Sequence, residues 1–389
     1  MLRVLTPKVY QPQAPPGKIS GPLAAPRAPG AILGLPTPGW DGETRLIHAR
    51  IAGLGRYVPQ RVLTNADLEQ MVDTSDQWII DRTGIRERHL AAPDETTSTL
   101  ALRAARTALD RARIPPEDLD LIVVATTTPD GLFPSVASLV QDGLGARRAG
   151  AFDVNAACMG FMSALATGTQ FIAGGGARRV LVIGAETLSR IVNWEDRGTC
   201  VLFGDGAGAL VLQAAEFGGP LGFVLRSDGS KADQLCADGL CGPRDGHVVE
   251  PYIHMDGPAI FKFAVHAMTD AVREALGSSG LTAGDIDLLV PHQANLRIIQ
   301  GVGKALGVPA ERTMINIEKY GNTSSASIPM ALCEAAEQGR LREGARVALC
   351  GFGGGLAWGA MVLQWSTTGQ KPAAAQADPA LASAHAAGA

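Results

Sequence analysis

A chain of 389 residues, 46% apolar and 19% charged, is long enough to bury one large core or two fused ones. Its net charge of −4 argues against general binding to nucleic acid or membrane surfaces. No apolar run reaches bilayer length and no secretory signal is visible, so a cytoplasmic protein with reduced thiols is expected.

Residues 1–44 hold nine prolines and little periodicity, and are predicted to be a disordered Pro-rich extension. The globular chain is expected to span 45–366, in halves of 45–215 and 216–366. Residues 367–389 read as a disordered Ala-rich tail. Inside the globular part lies a duplication. Asp118-Leu119-Asp120-Leu121-Ile122-Val123 recurs as Asp285-Ile286-Asp287-Leu288-Leu289-Val290, at an offset of 167. At the same offset Arg179–Gly184 matches Arg346–Gly351, while Gly208–Gln213 matches Gly359–Gln364 at 151. Two copies of one α/β unit are implied, with short continuous apolar strands buried on both faces. Between the strands, residues 257–276 carry an apolar set at helical spacing (Phe261, Val265, Met268, Val272, Leu276), with Lys262 and His266 off it.

Cys158 stands between a β-type run, Phe152–Asn155, and a small-residue helix, Ser163–Ala173. A helix start favours the thiolate, which is the nucleophilic form. In the second copy, His292 follows the strand corresponding to Leu119–Val123, and Asn322 follows the strand-like Met314–Ile317. A pseudo-twofold arrangement would bring these strand ends together, and Cys, His and Asn are the parts of a thiol acyl-transfer site. Two other patterns lead elsewhere. The Gly204-x-Gly206-x-Gly208 run precedes a strand, Ala209–Gln213, so dinucleotide-binding geometry is absent. Cys236 and Cys241, with His247 and His254, have looser Cys spacing than a zinc finger and read as a surface loop; no metal is expected.

The ordered set Arg82-Thr83-Gly84-Ile85-Arg86-Glu87-Arg88, Asn155-Ala156-Ala157-Cys158, Phe203-Gly204-Asp205-Gly206-Ala207-Gly208, His292-Gln293-Ala294-Asn295, Gly321-Asn322-Thr323-Ser324-Ser325-Ala326-Ser327 and Gly351-Phe352-Gly353-Gly354-Gly355 resembles the β-ketoacyl-[acyl-carrier-protein] synthase III family over about 47–366. The resemblance implies a thiolase-like α/β fold, two pseudo-twofold halves in a five-layered αβαβα sandwich. It implies a homodimer that condenses a priming acyl-CoA with malonyl-acyl carrier protein, without metal or redox cofactor. Cys158 would be acylated, and His292 and Asn322 would stabilise the enolate oxygen. The N–H groups of Cys158 and Gly354 would form the oxyanion hole. Trp78 and Arg197 would sandwich adenine, with Arg82 on the CoA phosphates. Gly257, Phe261, Asn295 and Phe352 would line the pantetheine tunnel. Gln293, Ala294, Asn295, Leu296 and Arg297 would form the carrier-protein docking segment, and Phe133 would cross to the partner's acyl pocket.

Two departures from the family pattern bear on primer preference: Pro258 in the tunnel-lining segment and the 231–249 loop. The alternative is a starter synthase or acyltransferase of the same fold in polyketide or other secondary metabolism. A non-catalytic acyl-binding relative or a thiol hydrolase are further alternatives.

Overall fold

A computed structural model describes residues 47–238 and 251–370. The Pro-rich segment, Cys241, His247 and most of the Ala-rich tail lie outside these.

The first half opens with β1 (His48–Tyr57), a small ribbon of β2 (Arg61–Thr64) and β3 (Glu87–Leu90), and between them short helices α1 (Asn65–Leu68) and α2 (Asp76–Thr83). It continues through α3 (Thr97–Ala112), β4 (Leu121–Ala125), α4 (Val136–Leu144), β5 (Gly150–Val154), α5 (Gly160–Ala173), β6 (Arg179–Glu186), α6 (Arg197–Cys200) and β7 (Gly206–Ala215). The second half holds β8 (Gly219–Ser227), the paired β9 (Leu235–Ala237) and β10 (Ile253–Met255), α7 (Gly257–Ser278), β11 (Leu288–Pro291), α8 (Leu296–Leu306), α9 (Ile317–Tyr320), α10 (Ser327–Glu337), β12 (Arg346–Gly353) and β13 (Ala357–Gln364).

The main sheets run β1-β7-β6-β4-β5 and β8-β13-β12-β11. The orders superpose with β1 on β8, β7 on β13, β6 on β12 and β4 on β11, as the duplication requires. Among the described residues β5 has no counterpart strand. The expected strand Met314–Ile317 is reduced to one bridge, Leu289 to Thr313, and the chain turns into α9 at Ile317.

Three apolar clusters separate the layers. Leu100, Ala104 and Ala108 of α3, with Val136 and Val140 of α4, pack on Ile122 and Val124 of β4. Between the sheets, Phe161, Met162 and Leu165 of α5 meet Ile328, Ala331 and Leu332 of α10. Outside the second sheet, Ala264, Met268 and Val272 of α7 and Val302 of α8 pack on Leu289 and Ala348. The result is the expected αβαβα order, with the two central helices buried nearly all round.

The core stripe of α7 is rotated from the sequence expectation. Ile260, Ala264, Ala271 and Ala275 are buried with Met268, Val272 and Leu276, whereas Phe261 and Val265 are only half-buried. Small alanines let the helix lie close to the sheet, and the aromatic is displaced to the rim. Pro258 falls in the first turn of α7, where a missing N–H costs little. The 231–249 segment is partly regular: Cys236 lies opposite His254 in the β9–β10 pair. No cluster of three metal-ligating side chains occurs among the described residues. The chain stays anchored slightly beyond 366, since the Thr367 amide and hydroxyl both donate to the Glu343 carboxylate.

Candidate active site

Two turns, one from each half, meet between the sheets. In the first, Asn155 Oδ1 accepts the Ala157 N–H at 3.3 Å, and Ala157 adopts φ +47°. A non-glycine residue in the left-handed region costs roughly 1–3 kcal/mol and marks a turn held by its surroundings. It delivers Cys158 to the 3-10 turn that feeds α5. In the second turn, Asn322 Oδ1 accepts the Ser324 N–H at 2.9 Å, and Ser324 has φ +48°. Each residue of the second turn lies 167 positions after its counterpart, so Ser325 is the structural equivalent of Cys158.

Glycine makes room for Cys158. A Cβ on Gly353, at the end of β12, would lie 2.7 Å from Cys158 N and 3.1 Å from its Cβ. Gly354, the residue expected in the oxyanion hole, is one step further on, where a Cβ would meet the Leu235 carbonyl at 2.7 Å. The close contact with the Cys158 amide is therefore made by Gly353. Burial pushes the Cys158 thiol up to about 12, nearby Glu186 adds to the rise, and a hydrogen bond with the Ser324 side chain opposes it. This corrects the expectation that the helix start governs: desolvation dominates, and the resting group is a thiol.

His292 leaves the end of β11 with its N–H donating to Cys350 O at 2.7 Å. The ring is 1% exposed and packs edge-on to Phe352, 5.8 Å between centroids. Nδ1 lies 2.5 Å from Ser327 Oγ, while the buried Nε2 has no hydrogen-bond partner among the described residues. Burial drives its pKa down to about 3, so the imidazole is neutral. The Asn322 backbone is fixed by its N–H donating to Leu202 O and its C=O accepting from Gly204 N. With Oδ1 committed to Ser324, the amide must present its NH2, which has no hydrogen bond among the described residues. The site thus combines a buried thiol with an unpartnered imidazole nitrogen and a side-chain NH2.

Two family models describe the chain: "3-Oxoacyl-[acyl-carrier-protein (ACP)] synthase III" over residues 152–229 and its C-terminal part over 276–365. The β-ketoacyl-[acyl-carrier-protein] synthase III of Desulfitobacterium hafniense is 52% identical over 330 residues, which is 83% of this chain and 100% of the relative. That of Symbiobacterium thermophilum is 54% identical, over 81% of this chain and 97% of its own. The chain belongs to the β-ketoacyl-[acyl-carrier-protein] synthase III family. It is a condensing acyltransferase of the first condensation in bacterial fatty acid synthesis. The crystal structure of the Aquifex aeolicus synthase III superposes with a TM-score of 0.78 at 48% identity, covering 82% of this chain and 100% of that one. A priming β-ketosynthase of the R1128 polyketide pathway superposes at 0.77 with 38% identity, covering 82% and 96%.

Around this synthase III centre the remaining expected residues divide. Two guanidinium groups approach the Trp78 ring, Arg197 at 5.0 Å and Arg82 at 5.8 Å from its centroid. Arg197 is held there by the Asp73 carbonyl at 2.8 Å, so an adenine entering between the two side chains must displace it. Asn295 has both side-chain ends engaged: Oδ1 caps α8 through Arg297 N and Nδ2 donates to Arg82 O. Phe352 is buried beside His292, and Gly257 opens α7. Gln293 and Ala294, expected in the docking segment, are buried in this chain. Gln293 is 1% exposed and spans Pro291 O, Met314 O and Asn316 N, and Ala294 is also buried. Leu296 is half-buried, and Arg297 is exposed with its guanidinium 5.2 Å from the Phe261 centroid. Phe133 is 85% exposed and stands free of the core.

Sequence reasoning missed the partners that hold these groups: Ser324 beside the thiol, Ser327 on the imidazole and Glu186. Glu186 is buried and ties Thr126, Thr127 and Thr128 to Ser325. The offset of 167 could have found it, because it pairs Glu186 with Gly353.

Proposed function

We propose that this enzyme acylates Cys158 from a short or branched acyl-CoA and condenses that acyl group with malonyl-acyl carrier protein. The thiol sulfur adds to the primer thioester, and its proton leaves with CoA as the free thiol. Malonyl-carrier protein then loses carbon dioxide. The electron pair of the breaking C–C bond becomes an enolate, whose oxygen is stabilised by His292 Nε2–H and Asn322 NH2. The enolate carbon attacks acyl-Cys158, whose carbonyl oxygen is held by the Cys158 N–H and a Gly353–Gly354 amide. The C–S bond breaks to release 3-oxoacyl-carrier protein and the Cys158 thiolate, which takes a proton from water to restore the thiol. Decarboxylation drives the step, and neither metal nor redox cofactor is required.

The observation that carries this reading is the neutral His292 with an unpartnered Nε2, together with an Asn322 whose NH2 is free. Both are donors suited to a developing oxyanion. CoA is assigned to the Trp78–Arg82–Arg197 face and the pantetheine arm to a path past Gly257, Phe261, Asn295 and Phe352. Arg297 and Leu296 are assigned to carrier-protein docking, with Lys262 and Lys304 exposed on the same half. A cytoplasmic homodimer is proposed, supported by the position of β5 at the sheet edge and by the exposure of Phe133, Leu132 and Phe171. Among the described residues, no helix is long and apolar enough to cross a membrane.

Incubating the enzyme with a panel of acyl-CoAs and malonyl-carrier protein tests the reading, with products read by mass. A 3-oxoacyl-carrier protein two carbons longer than its primer is expected. Free acid as the product would establish a hydrolase, and binding without turnover a non-catalytic protein.

A further inference from the structure

We infer that Ser327 is a positioning residue that sets the tautomer of His292, holding the proton on Nε2 and so making the imidazole a donor to substrate oxygen. The inference rests on the donor role proposed above and names what enforces it.

The argument is a count of protons. Ser327 Oγ lies 2.5 Å from His292 Nδ1 and 3.3 Å from the backbone N of Gln293. An amide N–H can only donate, so Oγ accepts there. A hydroxyl has one proton and two acceptor sites. If Nδ1 carried the ring proton, Oγ would accept twice and its own hydrogen would need a third partner. Ser327 is 2% exposed, and no other hydrogen bond of its Oγ exists among the described residues. Leaving that hydrogen unpaired in a buried site costs roughly 1–3 kcal/mol. The alternative satisfies every group: Gln293 N–H donates to Oγ, and Oγ–H donates to Nδ1. The ring proton then sits on Nε2, the atom left without a partner.

The surroundings agree. Burial keeps the ring neutral, so the tautomer question is real and is not bypassed by protonation of both nitrogens. Ser327 opens α10, and its place in the duplication is Gly160 at the start of α5. The first half has no hydroxyl at that position, and it has no imidazole to orient. A second consequence follows: with Nε2 protonated, His292 is not the resting base for the Cys158 thiol.

The decisive measurement uses the wild-type enzyme, labelled with 15N-histidine and free of substrate. The His292 signals are identified among those of the seven histidines by their loss in His292→Gln. The pattern of ring-nitrogen shifts and two-bond couplings is expected to report protonated Nε2 and unprotonated Nδ1. The opposite tautomer, or an even mixture, overturns the inference whatever the activity. In Ser327→Ala the Nε2–H bias is expected to weaken, with malonyl decarboxylation falling about 10- to 100-fold, while formation of acyl-Cys158 is spared. Ser327→Thr keeps the hydroxyl and is expected to recover both the signature and most of the rate. A Ser327→Ala enzyme that retains the wild-type tautomer also overturns the inference. An Nε2–H tautomer set by Ser327 in an enzyme that makes no 3-oxoacyl product would instead overturn the donor role and leave the hydroxyl's effect on the ring intact.

Discussion

The Cys158 turn and the Ser325 turn have one backbone and opposite fates. Both use an Asn side chain to catch an N–H two residues on, and both place a non-glycine residue at φ near +48°. What differs is the residue that the other half presents to each. Cys158 faces Gly353, with nothing beyond its backbone. Ser325 faces the 167-offset counterpart, Glu186, and is bound to it at 2.8 Å and to Ala125 O at 2.9 Å. Asn155 is exposed, while Asn322 is buried and turns its NH2 to the site. Duplication supplied two equivalent turns. One was left facing a glycine, and the other was filled by the Glu186 carboxylate.

The most severe test makes the two turns alike. Cys158→Ser is expected to give no acyl-enzyme by intact mass and to lower condensation by at least about 10⁴-fold, since no base is dedicated to the hydroxyl. Acylation that persists at Ser325 or elsewhere would break the comparison. Asn322→Ala is expected to keep acylation and lose malonyl decarboxylation by roughly 10²- to 10³-fold. Asn155→Ala removes the same turn bond from the other copy and should leave decarboxylation near wild type, costing about 1 kcal/mol or less in urea-melt stability. Equal kinetic losses in the two variants would make the Asn322 effect a backbone one. Gly353→Ala drives a methyl into the Cys158 amide and is expected to slow acylation about 100-fold, the scale of a 1 Å misplacement, with about 1–3 kcal/mol of destabilisation.

Smaller effects concern charge. Alkylation of Cys158 by iodoacetamide in the free enzyme should be slow at pH 7 and rise about tenfold per pH unit without levelling near 9, because the thiol titrates at about 12. The folded value lies above the ordinary 9.0, so burial of the neutral thiol contributes stability below pH 9 that is lost as pH rises toward 12. His292 has the opposite sign. Its folded value of about 3 lies below 6.5, so its contribution is complete above pH 6.5 and is lost as pH falls toward 3. The acid limb of a stability profile should therefore be shallower in His292→Gln. Arg297→Glu should change least: KM for malonyl-carrier protein should rise severalfold with acylation by acyl-CoA unchanged, as expected of a rim charge acting on encounter.

The duplication and most of its strands were legible in the sequence because the repeated motifs are apolar runs of strand length, whereas the strand expected at Met314–Ile317 shrank to one bridge. The repeat implied two copies of one α/β unit, and the αβαβα order came from the family resemblance. What stayed hidden is tertiary. Gln293 sits within a polar stretch and gives no local sign that its amide would be buried between two carbonyls. Asn295 reads as a site residue, yet its side chain is spent capping α8 and bracing α2. Phe261 matched a helical period whose true centre the alanines displaced. The rise of the Cys158 pKa depends on desolvation by layers far apart in sequence, which the helix-start signal cannot report.

That protonated thiol bears on how the enzyme ages. Peroxide and related oxidants consume thiolates, and the first step toward sulfenic acid scales with thiolate character and exposure. At 8% exposure and a pKa near 12, Cys158 offers little of either between turnovers. The burial that raises the thiol pKa is therefore expected to slow its oxidation in the free enzyme.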